Sequence, residues 1–188
     1  MKISTSKTKT MAFSGKYPVR TKIVVNDIVL EQVKHFKYLG CDISYDRSND
    51  IEDKLNKFTH ICGTISRTLK NKTRKETQLK FYKTIAVPTL LYGSETWITT
   101  KKEESRIQAQ EMKFLRRVKG CTKLDRIRNT DIRTELNILD INQKIKENKN
   151  KWKEHVERMH EKRIPAKVRF YQCHGGRDIG RPRKRWVS

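Results

Sequence analysis

Apolar residues recur at two different periods along this chain of 188 residues, and the change of period divides it. Up to about residue 43 they alternate with polar residues in short runs, which is typical of β-strands. From Ile51 onward they recur every three or four positions, which indicates amphipathic helices. We therefore expect an α+β protein in which short β-hairpins precede a mostly helical bundle.

The clearest strand is the run from Val33 to Gly40, in which Phe36 and Tyr38 share one parity. Gly40 stands where the backbone must turn sharply or lie close to another segment. The residues before it look like strand and those after it look like helix. We therefore expect a hinge between the two regions here.

A second turn is predicted at Asn26-Asp27, between two apolar runs, because both residues tolerate the positive φ of a tight hairpin. Residues 8–43 would thus hold three or four short strands. Strands this short cannot bury a sheet face by themselves.

The first helix is predicted to begin near Asp50, whose carboxylate can cap it. The face opposite its apolar stripe should carry cations. The stripe comprises Ile51, Leu55, Phe58, Ile61, Ile65 and Leu69, and the cations are Lys54, Lys57, Arg67 and Lys70.

The boundaries of the later helices are marked by capping residues. Thr73–Glu76 and Thr100–Glu103 have the spacing of capping boxes, and Asp140 can cap a third helix. Gly120 is a natural end for the helix that begins at Thr100.

Pro88 should kink or end its helix, so residues 89–97 should form another one. The apolar spacing there places Tyr92 and Trp97 in the core, although both could instead stack on bases.

The net charge of the chain indicates what kind of partner it binds. The chain has 44 Lys and Arg against 21 Asp and Glu, a net charge of +23, which favours a polyanionic partner. The four cysteines form no Cys-x-x-Cys pair, and His155 and His160 do not share a helix face, so we expect no metal site. No apolar run approaches the roughly 20 residues of a membrane-spanning helix.

Two motifs carry a resemblance to a known family. Phe36-Lys37-Tyr38-Leu39-Gly40, followed by the run from Leu90 to Trp97, resembles the C-terminal part of reverse transcriptases from LINE-type (non-LTR) retrotransposons. The ending from Gly180 to Trp186 is similar to endings common in these elements. The resemblance implies that residues 36–40, in particular Phe36, Tyr38, Leu39 and Gly40, match the primer grip. It places the later run in the helical thumb.

The same resemblance implies that a lysine near the start lies close to the incoming triphosphate, with Lys7 the best match and Lys9 the competitor. The family's paired aspartates, which hold two Mg²⁺ ions, have no counterpart here, since the sequence contains no Asp-Asp pair. We therefore expect that this chain alone is not an enzyme and needs no cofactor.

Nucleic-acid contacts are expected from clustered cations, and the partner is RNA or DNA bound largely without regard to sequence. The tail from Gly180 resembles an AT-hook, but Ile179 stands where that motif has an arginine, so phosphate neutralisation or nuclear import is the preferred role. The expected contact residues are Lys113, Arg116, Arg117, Arg126, Arg128, Arg177, Arg181, Arg183, Lys184 and Arg185.

These expectations give four segments: a β-rich palm remnant at 1–47, a helical thumb-like region at 48–120, C-terminal helices at 121–164 and an irregular basic tail at 165–188. The predicted function is to hold primer and template without catalysis, inside a nucleus. Two alternatives remain open. The chain could be a stand-alone basic protein that binds RNA or DNA, or a non-functional relic of a retrotransposon.

Overall fold

The computed structural model describes residues 3–12, 20–44, 49–69 and 72–171. It confirms the expected mixture of helices with a few short strands. The chain divides into two compact units, Met1–Asp53 and Lys54–Ser188. The first contains the strands, and the second contains the helical bundle.

The strands of the first unit pair as three separate two-stranded sheets. Each strand is only two to four residues long, so there are more of them than the apolar pattern predicted. β1 pairs with β4 in parallel, whereas β2–β3 and β5–β6 are antiparallel hairpins. The strands are β1 Lys9–Thr10, β2 Val24–Val25, β3 Ile28–Val29, β4 Glu31–Gln32, β5 His35–Tyr38 and β6 Cys41–Ser44.

The hairpin predicted at Asn26-Asp27 is confirmed. The two residues have φ values of 51° and 60°, and Val25 pairs with Ile28 across them. Positive φ at both central positions defines the type I′ turn, whose twist matches that of the flanking strands.

The hinge predicted at Gly40 is wrong, because the chain does not pass from strand to helix there. Leu39 and Gly40, with φ values of 48° and 77°, form the turn of a second two-residue hairpin. The strand resumes at Cys41, which pairs with Tyr38. Gly40 suits the second turn position because glycine adopts positive φ without steric strain. The residue after it, Cys41, begins β6, which pairs with β5.

The hairpins bury little of their apolar surface. Among the described residues of this unit, the buried apolar side chains are Leu30 and Ile51. This agrees with the expectation that such short strands cannot bury a sheet face alone. The exposed apolar side chains are Ile3, Ile23, Val24, Ile28, Val29, Phe36, Tyr38, Leu39 and Ile43.

The second unit is helical, and α1 begins shortly before it. Four of the six residues in the predicted stripe of α1 are buried, namely Ile51, Leu55, Phe58 and Ile65. The elements are α1 Asn49–Leu69, α2 Lys75–Phe81, a π-helical turn Tyr82–Ala86, α3 Val87–Leu91, a 3₁₀ turn Ser94–Thr96, α4 Lys101–Lys119, α5 Asn129–Leu136, α6 Ile141–Glu157 and α7 Ile164–Phe170.

Three helix ends agree with their predicted signals. Thr100 and Glu103 form the capping box of α4, with the Thr100 hydroxyl accepting from the Glu103 amide at 3.3 Å. Gly120 ends α4 in the left-handed conformation. The Asp140 carboxylate accepts from the Asn142 amide at 2.8 Å and caps α6. These signals act within one turn of the chain, so packing elsewhere does not disturb them.

Two predicted caps are wrong. The N-cap of α2 is Arg74, and the Thr73 hydroxyl instead donates to the Leu69 carbonyl at 3.1 Å, at the end of α1. Asp50 lies inside the first turn of α1, where its carboxylate accepts from the Asp42 amide at 3.0 Å. Both side chains therefore hydrogen-bond the backbone of the preceding segment and do not cap the helix that follows.

Pro88 does not end its helix. The chain widens to a π-helical turn just before it, in which the Val87 amide bonds the Tyr82 carbonyl, and then continues as α3. The wider turn accommodates a residue that lacks an amide donor and crowds the preceding turn. The separate helix predicted at 89–97 is therefore wrong. Gly93, at φ 75°, ends α3, and only a 3₁₀ turn follows.

The core of the helical unit is centred on three aromatic rings. Tyr82 stacks on Phe114 with centroids 5.0 Å apart, and its edge meets Phe58 at 6.1 Å. Trp97 is buried, as expected. Tyr92 is 55% exposed, so its predicted place in the core is wrong.

A buried polar network joins this core to α5 and α6. Glu111 on α4 accepts from the Tyr82 hydroxyl at 2.9 Å and from Arg133 Nη2 at 2.6 Å. Arg133 Nη1 also lies 2.7 Å from Asp140. Burial raises the pKa of Glu111, although Arg133 and the Tyr82 hydroxyl favour the ionised form. The network therefore connects α4, α5 and the cap of α6. Its cost is the free energy of removing the Glu111 carboxylate from water.

The prediction of an irregular chain from residue 165 is wrong for residues 165–170. Residues 164–170 form α7, with Pro165 in its first turn and Ala166 buried. Proline suits that position because the first amides of a helix have no partner within it. Residues 172–188, with Arg177, Arg181, Arg183, Lys184 and Arg185, lie outside the described residues. Within those described, no helix is long and apolar enough to cross a membrane.

Candidate nucleic-acid interface

A cleft of about 270 Å³ lies between α1 and α4, and we call it the α1/α4 cleft. Most of its lining residues have polar or cationic side chains, and Cys62 and Phe114 are buried members of the lining. The lining residues are Thr59, His60, Cys62, Gly63, Ser66, Arg67, Gln110, Lys113, Phe114 and Arg117.

The cleft is strongly cationic. Arg67, Lys113 and Arg117 line it, and no lining residue is acidic. All three are exposed. In the described part of the chain, no carboxylate lies within salt-bridge distance of Lys113 or Arg117, and Arg67 contacts only the neutral Thr64 hydroxyl, at 3.3 Å. These charges are therefore available to an external anion.

Helical spacing explains how the cations come together. Phe114 and Val118 face the core, so the neighbouring face of α4 presents Lys113 and Arg117, which are four residues apart. On α1, a methyl group at Gly63 would meet only Arg67 Nη1 at 3.9 Å. The glycine thus leaves the wall of the cleft open.

The cysteine in the cleft lining holds its proton. Cys62 is buried, and burial together with the nearby Glu111 charge raises the pKa of its thiol to about 12. A thiol that holds its proton at neutral pH is a poor nucleophile. Cys62 is therefore a buried packing residue of the cleft and not a reactive thiol.

The predicted contact residues on α4 have different roles in the structure. Lys113 and Arg117 line the cleft, but Arg116 points its guanidinium to the Asn129 side chain at 2.6 Å and to the Ile127 carbonyl at 3.4 Å. Arg116 thus holds the loop between α4 and α5. Arg126 and Arg128 are exposed in that loop and do not line the cleft.

The residues that resemble a primer grip form one hairpin in the first unit. Phe36 and Tyr38 lie on β5 with their rings stacked at 6.5 Å, and both are exposed, while Leu39 and Gly40 make the turn. The hairpin thus presents a flat aromatic surface beside a tight turn.

The two palm lysine candidates differ in their surroundings. Lys9 forms an ion pair with Glu31 across the β1–β4 pair. Lys7 lies exposed in the turn before β1. Of these two lysines, Lys7 is the one whose ammonium group has no carboxylate partner among the described residues.

Several functional or structural residues were missed at the sequence level. Arg67 was placed on a solvated face of α1, yet it lines the cleft. Lys54, from the same set, is 3% exposed, and its ammonium donates to the Tyr92 carbonyl at 2.5 Å and lies 4.8 Å from that ring. Glu111 and Arg133 are also buried. Charged residues in the middle of helices give no local signal of burial, so spacing alone could not have found them.

Comparison with protein-family models, with curated proteins and with solved structures finds no match. The described residues also contain no group of three or more His, Cys, Asp or Glu side chains that could hold a metal ion.

Proposed function

We propose that this chain is the C-terminal, nucleic-acid-holding part of a LINE-type reverse transcriptase. In this proposal the helical unit acts as the thumb, and the short hairpins are the last strands of the palm with the primer-grip turn. The motifs at residues 36–40 and 90–97 motivate it. The exposed apolar surface of the hairpins supports it, because strands that end a larger domain need the rest of that domain to cover them.

The observation that carries the binding function is the α1/α4 cleft. Arg67, Lys113 and Arg117 come from two helices, line one concavity and have no carboxylate partner in the described residues. Cations arranged this way neutralise phosphates of a nucleic-acid backbone and carry no information on base sequence. The partner is RNA or DNA, and the basic tail with Arg181 and Arg183 would add contacts.

This chain alone would not catalyse polymerisation, since it has no Asp-Asp pair to hold the Mg²⁺ ions that the intact family uses. Purified chain, Mg²⁺ and a primed template should give no primer extension above a protein-free control. Template-dependent incorporation would overturn this part of the proposal.

The basic run at 181–185 also fits nuclear import, so the proposed location is the nucleus.

A stand-alone basic protein that binds nucleic acid is the second candidate. It is favoured by the helical unit, whose core of Phe58, Tyr82 and Phe114 lies wholly within residues 54–188. The coding sequence next to this one distinguishes the two candidates. An in-frame strand with Ala-Asp-Asp upstream indicates a piece of an enzyme, and its absence from the transcript indicates a separate module.

The salt dependence of binding tests the site. Duplex affinity should fall with added salt, and the log–log slope should shrink by about 0.9 for each phosphate contact removed. Replacing Lys113 and Arg117 with glutamine should therefore reduce the slope by about 2. A matched control replaces Lys146 and Lys151, two exposed cations of α6 that do not line the cleft. Equal losses in both variants would show that the cleft is not the binding site, and salt-independent or absent binding would refute the function.

A further inference from the structure

One lining residue of the α1/α4 cleft has a buried hydroxyl group without a hydrogen-bond partner among the described residues. Ser66 is 7% exposed, and its hydroxyl oxygen is buried without a hydrogen-bond partner in the described structure. A serine in a helix ordinarily bonds its own backbone one turn back or faces water. A buried hydroxyl with neither is destabilising unless something else satisfies it.

The hydroxyl lies in a cationic setting. Ser66 is next to Arg67 in the chain, and Lys113 and Arg117 line the same cleft from α4. Such a set offers hydrogen-bond donors and positive charge, with no carboxylate acceptor in the lining. A divalent cation is therefore unsuited to this cleft, whereas an anion with several acceptor oxygens suits it.

We propose that the α1/α4 cleft binds the terminal phosphomonoester of a nucleic-acid strand. This inference rests on the proposed nucleic-acid binding and adds the chemical group that the cleft selects. A phosphomonoester has three terminal oxygens and a charge near −2 at neutral pH, whereas an internal diester has two such oxygens and a charge of −1. Three cations and an unpartnered hydroxyl match the first group better.

Shape favours the same choice. An internal phosphate is flanked by a sugar on each side, so it can meet exposed cations but cannot enter a recess to a buried hydroxyl. A strand end is flanked on one side only and can enter. Because the Ser66 hydroxyl is buried, a neighbouring side chain must move before a phosphate can reach it, and Arg67 and Arg117 are exposed lining side chains that are free to do so.

The test uses the full chain and short duplexes of one sequence that end in a 5′-phosphate, a 3′-phosphate or hydroxyls only. At fixed salt, the chain should bind a phosphorylated duplex about tenfold more tightly than the hydroxyl-ended duplex, as charge-assisted hydrogen bonds allow. Equal affinities for the three duplexes would overturn the proposal and leave the general binding function intact. Loss of binding to all three would refute the binding function itself.

Ser66→Ala is the sharpest variant, because it removes the hydroxyl and nothing else. Alanine is the best helix former, and the hydroxyl has no partner to lose, so the variant should fold and its unfolding midpoint should rise. The preference for phosphorylated ends should fall to about threefold or less. Thr68→Ala, at an exposed position of the same helix outside the cleft lining, is the matched control and should keep the full preference. An unchanged preference in Ser66→Ala would overturn the assignment.

Competition identifies the source of the phosphate. Inorganic phosphate and a nucleoside monophosphate, each added at constant ionic strength, should displace the phosphorylated duplex only at concentrations far above the duplex affinity. Displacement by either at a concentration comparable to that affinity would show that the cleft is a small-molecule site, and the strand-end proposal would then be wrong.

Discussion

Replacing Arg133 with methionine removes the cation that neutralises a buried carboxylate. Arg133 gives Glu111 two hydrogen bonds, at 2.6 and 3.2 Å, and Glu111 is fully buried. Methionine keeps the apolar stem but leaves Glu111 with only the Tyr82 hydroxyl as a described partner. Breaking one side of a buried pair costs about 3–5 kcal/mol. That is a large fraction of the roughly 5–15 kcal/mol that stabilises a domain.

The loss of stability in Arg133→Met should depend on pH, and the ionisation of Glu111 determines whether it grows or shrinks as pH rises. Burial already raises the pKa of Glu111 above the ordinary value of 4.5, and removing Arg133 raises it further because that arginine favours the ionised form. A carboxyl whose pKa is higher in the folded state contributes stability that is lost as pH rises from its unfolded pKa through its folded pKa. The destabilisation should therefore be smallest below pH 4.5 and should grow as the pH rises toward neutral.

Urea titrations followed by helical circular dichroism measure the effect, since the helices after α1 all belong to the second unit. Asp140→Asn is the matched control. It keeps an N-cap residue and loses a half-exposed ion pair, so it should cost about 1 kcal/mol or less.

The double variant Glu111→Met with Arg133→Met separates the buried charge from other effects. It leaves no buried ion, although the Tyr82 hydroxyl and the Asp140 carboxylate each lose a partner, so it should cost about 1–3 kcal/mol, less than Arg133→Met alone. A loss below about 1 kcal/mol in the single variant, or a deficit independent of pH, would refute the reasoning.

Three further predictions concern the hairpins and the tail. Amide exchange should be faster in residues 22–30, where most apolar side chains are half-exposed, than in residues 55–69 of α1; the reverse order would show that the hairpins have a core of their own. Leu39→Asn should stabilise its hairpin by about 1 kcal/mol, measured by exchange of the β5 and β6 amides, because asparagine tolerates positive φ better than leucine; an unchanged rate would show that Leu39 is not strained. A chain ending at Tyr171, which keeps α7 intact, should lose affinity equally on A·T-rich and G·C-rich duplexes and reduce the salt slope by a few units, whereas a larger loss on A·T-rich duplex would indicate minor-groove binding.

The sequence by itself determined the features that act within one turn of the chain. The helical period placed α1 and α4 correctly, and the capping box at Thr100, the stop at Gly120 and the cap at Asp140 all hold. The Asn26-Asp27 turn holds for the same reason, since its signal is the conformational freedom of the two turn residues themselves. Of the candidate site, Lys113 and Arg117 were predictable because residues four apart share a helix face.

The tertiary structure alone decided which polar residues are buried and which cations meet. The helical pattern assigned Lys54 to the surface, but the tertiary structure buries it and satisfies its charge at Tyr92. The burial of Glu111 and Arg133 was also decided by tertiary packing, because their ion pair forms between two different helices, α4 and α5. The α1/α4 cleft depends on how two helices pack, so no spacing within either helix could reveal that Ser66 and Arg67 of α1 share a cleft with Lys113 of α4.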